Sequence, residues 1–112
     1  MELMTKELER LFPPLYATEG KDPKCIKVIA KFFDPCGSWT WYATEYDPHK
    51  RIFFGYVKGF ENELGYFSLD ELQSVKGPLG LGIERDLYFG LEYTLAEVME
   101  ESNQTKERRI RQ

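Results

Sequence analysis

The sequence is poor in the side chains that most often do chemistry. Its 112 positions hold one histidine, His49, and two cysteines, Cys25 and Cys36, at no CxxC or zinc-type spacing. That excludes a zinc cluster and a disulfide framework, so reduced thiols in a cytoplasmic setting are the expectation. No apolar run approaches the roughly 18 uncharged residues of a membrane span. No charged segment followed by an apolar stretch opens the chain as a secretory signal would. Apolar groups are not lacking: 42% apolar and 15% aromatic residues exclude intrinsic disorder. The length suits one domain able to bury a core without metal or disulfide staples.

Charge is unevenly placed. The chain carries a net −4, yet from Thr105 onward Lys106, Arg108, Arg109 and Arg111 face only Glu107. Positions 1–104 hold 11 basic and 18 acidic residues, a net of −7. The expected organisation is therefore an acidic domain over 1–104 and a basic tail over 105–112. An acidic body opposes direct docking on a phosphate backbone. Only the tail suits nucleic acid, and a solvated terminus is its simpler reading.

Local patterns set out the elements. In TKELERLF, Leu8, Leu11 and Phe12 share a helical face, with Thr5 as cap and Pro13-Pro14 as stop. CIKVIAKFF alternates as a half-buried strand, and Asp34-Pro35-Cys36-Gly37 is a turn. SWTWYATEY is a second strand, with Trp39, Trp41 and Ala43 on one face and Thr40, Tyr42, Thr44 and Tyr46 on the other. The Asp47-Pro48-His49-Lys50 turn leads into RIFFGYVKGF, and a short fourth strand is expected at Leu64 to Phe67. Ser68 with Glu71, and Thr94 with Glu97, read as capping boxes of two helices. IERDLYFG reads as a further strand. The fold class is α+β: a single domain with a four- or five-stranded, mostly antiparallel meander and short flanking helices.

Three groups of residues are candidates for function. The aromatics Trp39, Trp41, Tyr42, Tyr46, Phe53, Phe54 and Tyr56 suit cross-strand packing first, with a protein-docking face or base stacking as alternatives. The acidic pairs Glu45/Asp47, Glu61/Glu63 and Glu84/Asp86 lie at i, i+2, which projects each pair to one side of an extended chain. Solvated loop charge is their simplest reading. An acidic surface imitating nucleic-acid phosphates and a hard-oxygen cation site are the sharper ones. Arg85 is expected either in an ion pair with a neighbouring carboxylate or as a clamp for a carboxylate or phosphate. GPLGLG lacks a P-loop ending and reads as a turn-rich connection. Cys36 and His49 belong to turns at opposite ends of one strand, so they form no dyad.

The blocks FFDPCGSWTWYATEYDP (32–48), ELGYFSLDEL (63–72) and GPLGLGIERDLYF (77–89), with the opening MELMTKELERLFPPLY, resemble the domain of unknown function 2958 family. The resemblance implies an accessory protein of phages, plasmids and integrative elements, often beside anti-restriction genes. It implies no catalytic residue. The leading expectation is a non-enzymatic, acidic interaction protein with an anti-defence (anti-restriction or anti-CRISPR) role, occluding a host nuclease or other DNA-handling complex. Its partner surface is expected at Glu45, Asp47, Glu61, Glu63, Trp41 and Tyr42. Exchanging its four carboxylates for amides is expected to abolish partner binding without unfolding. The alternative is a small-ligand or metal-dependent enzyme using Glu84, Arg85 and Asp86. No cofactor or resident metal is assigned.

Overall fold

Capping chemistry places the helices where the sequence signals them. Residues 1–101 are described by the computed structural model, and the basic tail lies outside the described residues. Thr5 opens α1 (Lys6–Leu11), its hydroxyl accepting the Leu8 N–H at 3.1 Å. Ser68 opens α2 (Leu69–Ser74) by accepting the Glu71 N–H at 3.2 Å. Thr94 opens α3, over 95–101, with a complete capping box. Its hydroxyl accepts the Glu97 N–H at 3.2 Å, and Glu97 Oε1 accepts the Thr94 N–H at 3.4 Å. Each cap satisfies donors that a helix start leaves free.

Five strands form one sheet: β1 (Ala30–Phe33), β2 (Thr40–Asp47), β3 (Ile52–Lys58), β4 (Asn62–Ser68) and β5 (Glu84–Arg85). Their order is β4-β3-β2-β1-β5, and every neighbouring pair is antiparallel. The chain is thus an α+β domain built on a meander, with β5 returning beside β1. Aspartates fix the two turns flanking β2. Asp34 accepts the Cys36 N–H at 2.9 Å, and Asp47 accepts those of His49 and Lys50 at 2.9 and 3.3 Å.

Two strands are shorter than their patterns suggest. The alternation over 25–33 predicts one long strand, but only Ala30–Phe33 joins the sheet's ladder as a strand. Residues 26–28 instead pair with the approach to α3, where the Val28 N–H bonds the Tyr93 carbonyl and the Leu95 N–H bonds that of Ile26. Ile26 and Val28 there pack with Leu95 and Val98. Alternation reports an extended, half-buried chain; it does not name the neighbour. β5 stops after two residues because Asp86 starts a turn, accepting the Tyr88 N–H on its side chain and the Phe89 N–H on its carbonyl.

A bulge in β2 decides which way the site residues face. Pairing with β3 runs Ala43↔Gly55 and then Glu45↔Phe54, so Thr44 is an extra residue. Thr44 is fully buried and its hydroxyl donates to the Phe54 carbonyl at 3.1 Å. One inserted residue reverses the alternation beyond it. Tyr46 therefore joins Ala43 on the first face instead of lying with Tyr42, and Glu45 turns to the second.

Both faces carry a buried cluster. On the first, Phe32, Ala43, Tyr46, Phe53 and Phe67 pack with Leu3, Leu69, Leu72 and Ile83. Phe53 is its hub, with ring centroids 4.6 to 5.6 Å from Tyr46, Phe67, Phe32 and Phe12. On the second, Tyr42 and Tyr56 pack beneath Leu95 and Val98 of α3.

Candidate functional site

The six residues expected to form one partner surface do not share one. Tyr42 is buried under α3, and burial pushes its phenol above the ordinary tyrosine range, with the nearby Glu101 charge adding to the effect. Glu45 is only 3% exposed. Its two carboxylate oxygens accept the backbone N–H groups of Tyr16 at 2.8 Å and Thr18 at 2.9 Å, and the Thr18 hydroxyl as well. The bulge aims this carboxylate inward, where it fastens the 16–18 segment to the sheet. Tyr16 in that segment has φ 74°, a left-handed conformation that a tyrosine adopts only when held. Asp47 caps its own turn. Exchanging all four carboxylates would therefore disturb the fold through Glu45, contrary to the expectation from sequence.

Trp41, Glu61 and Glu63 remain together. Register places Trp41, Val57 and Glu63 in one row across β2, β3 and β4, with Glu61 in the turn just beyond. Asp47 lies at the opposite end of β2, roughly 20 Å from Trp41 at about 3.3 Å per residue, and Glu45 roughly 13 Å from it on the other face.

That end of the sheet carries an aromatic group that the sequence reading only partly singled out. Trp39 sits 5.8 Å from Trp41 and 5.3 Å, edge-on, from Phe60. Gly59 makes the packing possible: a Cβ there would fall 2.4 Å from the Trp39 ring. Phe60 itself is 96% exposed. A phenylalanine in a tight turn between two strands is the signal that marks it, because a hairpin tip has no core to enter. The result is an exposed ring braced by two half-buried indoles and bordered by the carboxylates of Glu61 and Glu63.

The Glu84, Arg85 and Asp86 group is brought together, in a cleft of about 560 Å³. Lys31, Asp34, Trp39 and Tyr88 complete the polar and aromatic walls. The expected ion pair of Arg85 with an adjacent acid is not formed. Asp86 pairs instead with Lys31 at 3.8 Å, and the Lys31 ammonium also lies over the Tyr42 ring. Arg85 Nε is buried and has no hydrogen-bond partner among the described residues. Its backbone N–H lies 3.1 Å from Met1 Sδ. Among the described residues, no three histidine, cysteine, aspartate or glutamate side chains gather to hold a metal ion. No helix among them is long and apolar enough to cross a membrane.

These features define a small α+β protein with an exposed aromatic end beside a mixed-charge cleft. Over residues 3–108 the chain matches the family described as "Protein of unknown function (DUF2958)". It belongs to that family. Neither a curated protein nor a solved structure matches the chain.

Proposed function

We propose that this is a small acidic interaction protein of a mobile genetic element, an anti-defence inhibitor that occludes a nucleic-acid-handling host protein. The observation that carries the reading is the exposed Phe60 ring, braced by Trp39 and Trp41 and flanked by Glu61 and Glu63. Aromatic anchors at the centre of an interface commonly supply most of its affinity. Bordering carboxylates steer the approach to a Lys/Arg-rich groove and fix the register. The mobile-element setting and the anti-defence role are what the family resemblance implies. Relative to the sequence reading, the surface moves: Glu45, Asp47 and Tyr42 leave it, and Trp39 and Phe60 enter.

The test is an affinity pull-down from bacterial lysate with the wild type and a Phe60→Ala, Glu61→Gln, Glu63→Gln triple variant in parallel. A nuclease or other DNA-handling complex should be retained in stoichiometric amount by the wild type and lost by at least tenfold with the variant. Equal capture by both would defeat the assignment of this surface. None of the three side chains is buried, so the variant is expected to keep its fold.

The Arg85 cleft favours a second reading, as a small-ligand site. A buried guanidinium nitrogen without an acceptor is costly, and turning the Arg85 side chain into the cleft would offer that nitrogen a carboxylate or phosphate oxygen of a ligand. A ligand of that kind should raise the melting temperature of the wild type, and leave that of Arg85→Met unmoved. A screen of nucleotides and carboxylic acids without any shift would remove this reading.

A further inference from the structure

Among the described residues β4 is the long open edge of the sheet, since β5 at the opposite edge is two residues long. The direction of its backbone groups follows from its pairing with β3. The Gly59 N–H donates to the Glu61 carbonyl at 3.2 Å, and the Leu69 N–H to the Arg51 carbonyl at 3.0 Å. The register between them is unbroken, from Ile52↔Ser68 to Lys58↔Asn62. Hydrogen-bonded pairs alternate along an antiparallel ladder, so the odd-numbered residues of β4 bond to β3. Asn62, Leu64, Tyr66 and Ser68 therefore point their N–H and C=O groups outward. Sheets usually guard such an edge with lysine, proline or a bulge. β4 has no lysine, proline or bulge, its single charge is Glu63, and Leu64 and Tyr66 are 45% and 54% exposed.

Gly65 supplies an independent observation. A Cβ there would meet nothing within 4 Å, and its φ lies outside the left-handed region. Nothing among the described residues requires a glycine at mid-strand, where it weakens the strand. A mid-strand glycine is a mark of places where another backbone approaches closely.

We infer that β4 pairs with β4 of a second copy about a two-fold axis through Gly65, joining two sheets into one. This register overlaps the whole strand and sets outward-bonding Leu64 against the outward-bonding Tyr66 of the partner subunit. Gly65 meets the partner's Gly65 as a non-hydrogen-bonded pair, where Cα atoms come within about 4.5 Å. Glu63 faces the partner's Phe67, so no two carboxylates oppose each other. On the second face, Leu64 and Tyr66 continue an apolar strip with Phe54 and Tyr16, whose rings lie 5.0 and 6.4 Å from Tyr66. A self-complementary patch of this kind closes as a symmetric dimer.

Light scattering and sedimentation of the full chain test it. The wild type should show twice the 13.2 kDa chain mass at micromolar concentration. Leu64→Pro removes an N–H that points away from β3, so it should give a monomer with an unchanged circular dichroism spectrum. Should that variant fail to fold, Tyr66→Lys should give the same monomer. Gly65→Cys, with Cys25→Ser and Cys36→Ser, should form an intermolecular disulfide without reductant, while Phe60→Ala stays dimeric. A wild type of single-chain mass at all attainable concentrations would overturn the inference. So would a dimer that survives both Leu64→Pro and Tyr66→Lys.

Discussion

Replacing Glu45 by alanine is expected to cost about 3 kcal/mol of stability, chiefly by orphaning the donors it holds. The Tyr16 and Thr18 N–H groups and the Thr18 hydroxyl would lose their acceptors at once. A small domain is stable by about 5–15 kcal/mol, so the melting temperature should fall by on the order of 15 °C. Hydrogen exchange should speed up first at the Tyr16 and Thr18 amides, because the 16–18 segment is released before the sheet opens. Glu45→Gln separates hydrogen bonding from burial. It keeps one acceptor oxygen but turns an amide NH2 toward a backbone donor, and should recover less than half of the loss. Thermal melts of the three proteins check this. An alanine variant as stable as the wild type would show that the carboxylate does not hold the segment.

Gly55→Ala should have an effect of similar size by a different route. A Cβ at position 55 would lie 1.8 Å from the Tyr42 carbonyl oxygen and 2.8 Å from its carbon. Those are backbone atoms of the paired central strand, so no side-chain movement relieves the clash. β2 and β3 must separate next to the bulge, at a cost of about 3 kcal/mol or more. Denaturant unfolding would measure the loss. At high dilution, Gly65→Ala is the control: its added methyl enters open space, and the chain's own stability should stay within about 0.5 kcal/mol.

Much of this fold was legible because it rests on local chemistry. Thr5, Ser68 and Thr94 cap helices, and Asp34 and Asp47 fix turns, through bonds spanning two or three residues. The bulge was not legible. ATEY contains no glycine or proline, and its unbroken alternation put Tyr46 beside Tyr42. What inserts Thr44 is its bond to Phe54, and what buries Glu45 is its contact with residues 27 and 29 positions earlier. Local pattern carries no information about such partners. The same limit explains Arg85, whose neighbours in sequence are both acidic although neither bonds it. It also explains why residues 26–28 were extended as expected yet paired with the approach to α3.

The candidate surface follows the same division. Trp41, Glu61 and Glu63 come together because strand register is set by short turns, which sequence shows well. Glu45 and Tyr42 were lost to burial decided by the bulge and by α3. Phe60 was overlooked because an aromatic residue in a sheet protein is ordinarily assigned to the core. Its position between Gly59 and Glu61, in a tight turn, is what places it in solvent.

Occlusion makes a direct claim about the captured partner: it cannot hold this protein and nucleic acid together. The deciding measurement is DNA binding by that partner, titrated with this protein. The account predicts that DNA is displaced at one equivalent by the wild type, and stays bound in the presence of the Phe60→Ala, Glu61→Gln, Glu63→Gln variant. A ternary complex, with DNA bound undiminished beside a saturating amount of the wild type, would contradict it.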